Sequence, residues 1–251
     1  FFIFYIIYKM EEYPEISICM PIFERNNFTQ IIISNITNFD YPKDKLEFVI
    51  DDDGIKQKFI NTDLELKQLT DAIHPIKLNY KHYKNKRSIG KKRNNLVKLA
   101  SHKLVAFMDS DDLYLPTYLK HSLEIMRKEK AGLVCSNQML FLYPFNDWKA
   151  TGIQCGHKYL GHEATMLFTK KYFKAMGGFE NSSRGEGVNF IKGMRDNSVA
   201  LSRIDKCMIC ICHKKNTVNK DMFLDNQVVD MKLSDYDKFI ISQALGLSSS
   251  M

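Results

Sequence analysis

The stretch Leu104-Val-Ala-Phe-Met-Asp-Ser-Asp-Asp-Leu113 decides how this chain folds. Residues 104–108 form a continuous apolar run that ends abruptly in three carboxylates, Asp109, Asp111 and Asp112. A short apolar run bounded by polar residues reads as a strand buried on both faces, as in the middle of a parallel sheet. In open α/β sheets ligands bind outside the carboxyl ends of the strands, so this Asp-x-Asp stands where a ligand would lie. Two carboxylates this close repel each other, and a hard divalent cation relieves the repulsion. Mg2+ or Mn2+, held by one or two carboxylates and otherwise by substrate phosphates, is the expected use. A helix start near Pro116 would account for Asp112 but not for Asp109.

Working outward, Leu46-Glu-Phe-Val-Ile50 is a second buried strand that also ends in acid, Asp51 to Asp53, followed by Gly54. Residues 16–23 read as the first strand, with Pro21 near its end, where a missing N–H is tolerated. Asn26 and Asn27 offer N-caps for a helix over 28–38, whose apolar face carries Ile32, Ile36 and Phe39. A helix over 64–73 and a strand over 76–80 follow. Residues 81–98 carry eight lysines and arginines, and from Gly90 they read as a helix leading into the 104–108 strand. Strand and helix alternating at this spacing mean βαβ units, a parallel sheet and right-handed crossovers. Further on, the pattern predicts a helix from Pro116 to Lys130 and strands at 132–135, 138–145, 165–169 and 208–213. It also predicts helices at 171–176 and 236–245. No repeat or low-complexity linker divides the chain, so a single domain is expected.

A length of 251 residues suits one large α/β domain. The 45% hydrophobic and 26% charged content is that of a globular protein, not a disordered or fibrous one. A net charge of +7 invites an anionic partner: a nucleotide, a nucleic acid or a membrane surface. The basic stretch lacks the interleaved aromatics of single-strand binders, so no nucleic acid is expected. Six cysteines in a chain this long do not make a disulfide scaffold. Cys207-x-x-Cys210-x-Cys212-His213 lacks a second Cys/His pair, and reads as buried thiols on a strand before it reads as zinc. Residues 1–8 are apolar, too few to span a bilayer, and lack the basic start of a signal peptide. The chain begins with Phe, so this stub is the end of a membrane anchor, an element packed on the domain, or a frayed end. Cytoplasmic and membrane-associated locations both fit.

Two buried strands ending in Asp clusters, with a basic stretch between them, describe a nucleotide pocket. Here the chain resembles the family 2 glycosyltransferases of the GT-A type over about residues 16–217. Ile18-Cys-Met-Pro-Ile-Phe-Glu-Arg25 looks like the family's opening strand and uridine loop, which implies donor contacts at Pro21, Ile22 and Phe23. Phe48-Val-Ile-Asp-Asp-Asp-Gly54 resembles its second strand, whose last acid, here Asp53, faces the uracil. Ser88-Ile-Gly-Lys-Lys-Arg-Asn94 is similar to its helix start, a glycine followed by Arg-Asn, which implies nucleotide contacts at Gly90 and Arg93. Asp109-Ser-Asp-Asp112 looks like its Asp-x-Asp motif, with Asp109 and Ser110 on the donor and Asp109 and Asp111 on the metal. Gly177-Gly-Phe-Glu180 resembles the segment before its acceptor-side acid. His213-x-x-Asn-Thr217 looks like a late histidine motif, most like that of large DNA viruses, which implies His213 as a further ligand.

The resemblance implies a single GT-A domain of nucleotide-diphospho-sugar transferase, Rossmann-like type, with a mostly parallel central sheet. It would span 14–225, after a stub at 1–13 and before a tail at 226–251 with one helix. The implied reaction is an inverting, Mn2+- or Mg2+-dependent transfer of a hexosyl or N-acetylhexosaminyl group from a UDP-sugar to a glycan, glycoprotein or lipid acceptor. Relatives usually carry Glu-Asp where this chain has Glu186-Gly187, so Glu186 is taken as the general base, provided its segment is a loop or has shifted register. Other readings stay open. Asp53 could close an Asp-Gly turn, Arg93 could lie on a solvated helix face, and His213 could be a core histidine. The Glu-Gly replacement allows a nucleotide- or glycan-binding relative without activity. A two-metal nuclease or phosphotransferase would need more convergent acids than the sequence places.

Overall fold

The computed structural model describes residues 13–157, 160–192 and 198–247. The chain begins β1 (Ile16–Ile22), α1 (Thr29–Asn38), β2 (Leu46–Asp52), α2 (Asp63–Ile73), β3 (Lys77–His82), α3 (Ile89–Leu99), β4 (Leu104–Phe107) and β5 (Leu113–Tyr114). It continues α4 (Tyr118–Glu129), β6 (Leu133–Cys135), β7 (Gln138–Tyr143), β8 (Lys149–Gln154), β9 (Leu167–Thr169), α5 (Lys170–Met176) and α6 (Val188–Lys192). It ends β10 (Val199–Leu201), β11 (Met208–Ile211), β12 (Gln227–Val228) and α7 (Asp235–Leu245).

The main sheet has the order β10-β6-β9-β4-β1-β2-β3. β9 runs antiparallel to β4 and β6, and the other neighbours are parallel. The expected mixed α/β fold with a mostly parallel central sheet is therefore present. Its central strands β1, β2 and β4 are buried on both faces, whereas the edge strand β3 is partly exposed, and the period-2 alternation of a strand sorts their side chains. Ile16, Ile18, Met20 and Ile22 of β1, with Leu46, Phe48 and Ile50 of β2, join one core together with Ile32 and Ile36 of α1. Cys19, Val49, Val105 and Phe107 face the other way, onto Leu96 and Val97 of α3. On that second face Ser17 Oγ donates to Glu47 at 2.6 Å, and Glu47 also accepts the Ser101 N–H and hydroxyl, each at 2.8 Å.

A smaller sheet, β12-β8-β7-β11-β5, lies beyond β4 in the chain and carries the late histidine at the end of β11. The cysteines of 207–212 are buried here, as expected of strand thiols. The tail holds its expected helix, α7, which packs on α1 with Ile240 and Ile241 buried. The tail also supplies β12, hydrogen-bonded to β8. β8 and β10 were missed by the sequence reading, and the expected strand over 138–145 stops at Tyr143.

One local expectation fails, and the alternative reading of Asp112 as part of a helix start fails with it. Asn26 and Asn27 do not cap α1, which follows a 3-10 turn at Asn26–Phe28. Their amides reach instead to the carbonyls of Lys58, Phe59 and Ala244, tying the 58–59 loop and α7 to this corner. Asp112 does not serve a helix start either. Its carboxylate accepts the Ile211 N–H at 3.0 Å, and its carbonyl accepts the Asn35 amide at 2.9 Å. Among the described residues no helix is long and apolar enough to cross a membrane. The apolar stub of residues 1–8 lies outside the described residues.

Candidate functional site

β4 delivers the Asp-x-Asp to the carboxyl end of the sheet, and buried anchors fix the loop that follows. Tyr114 Oη accepts the Asp109 N–H at 2.8 Å and donates to the Ala164 carbonyl at 2.8 Å. Asn35 receives the Tyr114 N–H at 2.9 Å. The loop is thus bolted to α1 and to the 163–165 turn, and Asp109, Ser110 and Asp111 are left facing a cleft.

The cleft has two rooms that share Ile89, Arg93, Asp109, Asp111, Ser183 and Thr217. The first, about 220 Å3, is cationic: Arg25, Lys86, Arg87, Lys92 and Arg93 line it with Pro21, Phe23 and Asp53. The second, about 200 Å3, contains Asp112, His162, Glu163, Arg184 and Glu186. A cationic room beside a carboxylate pair suits a phosphate-bearing ligand.

Each acid after β2 has its own partner. Asp51 pairs with Arg87 and accepts the Asn95 amide. Asp52 accepts the Gly54 and Phe59 N–H groups and the Tyr80 hydroxyl, shaping the loop behind the cleft. Asp53 accepts Lys92 Nζ at 2.5 Å and the Arg87 N–H at 2.7 Å. Lys92 is 3% exposed. Burial pushes its amine down from the usual lysine range, and the Asp53 charge works against that shift. Asp53 therefore holds the basic helix start in place, and the Gly54 N–H goes to Asp52 rather than to it.

Arg93 is no solvated helix residue, since it is 3% exposed. Its Nη2 donates to Asp109 Oδ1 and its Nε to Glu186 Oε1, each at 3.1 Å. The guanidinium carbon lies 4.6 Å from the centre of the Phe107 ring. Arg93 Nη1 is buried without a protein partner among the described residues, a donor free for a ligand oxygen. Burial raises the Asp109 carboxyl above its usual range, with the Arg93 charge opposing.

Asp111 Oδ2 meets Arg25 Nε at 3.2 Å and His213 Nε2 at 3.1 Å. Burial would lift this carboxyl, but the His213 hydrogen bond and the Arg25 charge outweigh it and leave it below its usual value. His213 is thus more than a core histidine. Its Nδ1 accepts the Lys215 N–H at 3.2 Å, and its Nε2 meets both Asp111 Oδ2 and the Asn216 amide nitrogen, each at 3.1 Å. Among the described residues no three His, Cys, Asp or Glu side chains form a metal-holding set by themselves. Asp111 nevertheless suits a hard cation that takes its other oxygens from a diphosphate. His213 could join it through Nε2 in the tautomer that leaves that nitrogen free.

Two expected contacts lie elsewhere. Ile22 is 1% exposed and lines neither room; its carbonyl accepts Lys92 Nζ. Gly90 lines neither room. Its N–H donates to the Ser182 carbonyl at 2.8 Å, and a Cβ there would stand 1.8 Å from the Glu180 carbonyl oxygen. Glycine at 90 lets the 180–186 loop close on α3. Glu186 lies in that loop, as its expected role required, but is 5% exposed and bound to Arg93. The sequence reading missed Arg25, Lys86, Arg87, Lys92, His162 and Glu163. Arg25 lies within the opening motif, and the next three lie in the basic run. Nothing local marked the last two.

Residues 17–195 match the model of Glycosyl transferase family 2. S. aureus TarS 1-349 in complex with UDP-GlcNAc shares the fold, with a TM-score of 0.61 at 16% identity over 94% of this chain and 68% of that one. Mannosyltransferase PcManGT from Pyrobaculum calidifontis, in complex with GDP-Man and Mn2+, has a TM-score of 0.60 at 17% identity over 96% of this chain and 71% of that one. In two further TarS 1-349 structures, one with UDP, the match spans 60% of the TarS chain. No curated protein matches the chain.

Proposed function

This chain belongs to glycosyl transferase family 2, and we propose that it moves a hexosyl or N-acetylhexosaminyl group from a UDP-sugar to a hydroxyl of a glycan, glycoprotein or lipid, with inversion at the anomeric carbon. The observation that carries the reading is the position of Asp109 and Asp111, at the end of β4, between a cationic room and an acidic one. The diphosphate would lie among Arg25, Lys86, Arg87 and Arg93, with the unpartnered Arg93 Nη1 on one of its oxygens. Phe23 and Pro21 would flank the base. Asp53 has used one lone pair on each oxygen, so it retains acceptor capacity for the uracil N3–H.

Asp111 would hold Mn2+ or Mg2+, with Asp109 and a deprotonated His213 Nε2 as further donors. Such a cation, when bound, supplies positive charge to the departing diphosphate. Arg25 and Arg93 add fixed charge at the same place. On the far side, the acidic room offers Glu163 and Glu186 as acceptors for the hydroxyl proton. Among solved relatives, TarS is in complex with UDP-GlcNAc and PcManGT with GDP-Man and Mn2+, which supports a nucleotide-sugar donor but leaves the base and sugar to experiment.

Thermal shift with UDP, GDP and their sugars, with and without Mn2+, tests the donor. A ligand that binds only the folded chain raises Tm, so UDP-sugars should raise it most in the presence of the metal. A larger shift from GDP would reassign the base. The alternative of a binding relative without transfer rests on Gly187, and predicts donor-induced shifts with no nucleotide released.

A further inference from the structure

Transfer to a hydroxyl needs a group that takes the hydroxyl proton, and most of the carboxylates at the cleft are already committed. Asp109 is paired with Arg93, and Asp111 with Arg25 and His213. Asp112 is 5% exposed and spends an oxygen on the Ile211 N–H. The Glu186 side chain is 6% exposed and holds Arg93 Nε. Glu163 differs from all of them. Among the described residues no cationic side chain is hydrogen-bonded to it, and its carboxylate accepts only backbone N–H groups, that of Gly187 on Oε1 at 3.0 Å and its own. It is half-buried in the wall of the acidic room.

Its position explains Gly187. A Cβ built there would lie 2.6 Å from Glu163 Cγ and 2.8 Å from its Oε1. The Glu163 carboxylate thus fills the space that a short acidic side chain at 187 would need. A rigid mount keeps it there. Tyr114 Oη binds the Ala164 carbonyl, and Thr165 Oγ1 donates to the His162 carbonyl while accepting the Ser136 N–H. The same Tyr114 hydroxyl fixes Asp109, so the acid and the Asp-x-Asp share one anchor. Next to it, His162 Nε2 is buried without a partner and also lines the room.

We propose that Glu163, delivered from the 163–165 turn into the space left by Gly187, is the general base of the transfer, with Glu186 acting as the positioning residue for Arg93. This rests on the transfer reading above. The acceptor oxygen bonds to the anomeric carbon as the carbon–oxygen bond to the diphosphate breaks. That bonding pair leaves with the diphosphate, and the hydroxyl proton passes to a Glu163 oxygen. Burial, and after it the nearby Glu186 charge, raises the Glu163 carboxyl above its usual range, which suits a proton acceptor.

The test exchanges the two positions, with water as acceptor, UDP-GlcNAc and UDP-glucose as donors, Mn2+ present, and released UDP as the readout. Glu163→Ala and Glu163→Gln should lower release by about 10²–10⁴-fold, with UDP affinity by calorimetry unchanged. Glu163→Ala combined with Gly187→Asp should regain at least about tenfold, because an acid returns to the vacated space. Gly187→Asp alone should lower Tm, since both acids cannot fit. Normal release by Glu163→Gln, or no recovery in a folded, UDP-binding double variant, overturns the proposal. A parent that binds UDP but releases none from these donors also overturns it. A parent that binds no nucleotide diphosphate sinks the transfer reading itself.

Discussion

His213 Nε2 lies 3.1 Å from Asp111 Oδ2, although 102 residues separate them in the chain. The contact joins the end of β11 to the loop after β4, so the smaller sheet completes a site that the main sheet begins. Asp111 is central to it, since it receives both His213 and Arg25.

Asp111→Ala should therefore abolish Mn2+-dependent UDP binding while leaving the fold nearly intact. Its partners include a partly exposed arginine, and such pairs contribute at most about 1 kcal/mol. Calorimetry with UDP and Mn2+ checks this. Unchanged metal-dependent affinity would remove Asp111 from the metal site.

Arg25 competes with any cation for the same carboxylate oxygen. Arg25→Ala should raise Mn2+ affinity in the absence of nucleotide by about fivefold, the equivalent of a partly exposed ion pair of about 1 kcal/mol. The same variant should bind UDP more weakly, because a cation is lost from the cationic room. Mn2+ titrations with and without UDP separate the two effects. If both affinities fall together, Arg25 does not compete with the metal.

How much of this could be read in the sequence depends on range. β1, β2 and β4 were legible because strands buried on both faces are largely apolar runs, and β2 and β4 also stop in acid. Asp109 and Asp111 followed from strand-end placement, whereas Pro21, Phe23 and Asp53 came from the family resemblance. β8 was not legible, because Lys149-Ala-Thr-Gly-Ile-Gln154 is polar and holds a glycine. Ile22 and Gly90 were placed on the ligand because a motif gives position along the chain but not which way a group faces. Glu163 carried no signal at all. Its meaning comes from Gly187, 24 residues away, and only the packing brings the two together.

Asp53 and Lys92 form a buried pair, with side chains 1% and 4% exposed. Removing one partner of such a pair costs about 3–5 kcal/mol, because the other charge stays buried alone. Asp53→Ala should thus shift the urea midpoint downward as well as weaken UDP binding. Adding Lys92→Met should recover part of the stability but not the binding. Equal midpoints for Asp53→Ala and the parent would show that the pair is not structural.

Glu47 gives the stability a dependence on acid. Burial would raise its carboxyl, but hydrogen bonds from Ser17 and Ser101 outweigh that and hold it below its ordinary value of 4.5. A carboxyl depressed in the folded state contributes stability that is complete above the unfolded value and is lost as pH falls through the folded one. Tm of the parent should fall as pH drops below about 4.5, and the gap between parent and Glu47→Gln should narrow as the pH falls further. A gap that stays constant across that range would contradict the assignment.

The most direct measurement of the central claim is nucleotide release from a panel of UDP- and GDP-sugars by the parent and by Asp111→Ala, each with Mn2+ and with excess EDTA. The account predicts release of UDP from a UDP-sugar by the parent with Mn2+, and loss of that release both with EDTA and in Asp111→Ala. Release that is untouched by EDTA and by Asp111→Ala, or no release from any donor, would contradict it.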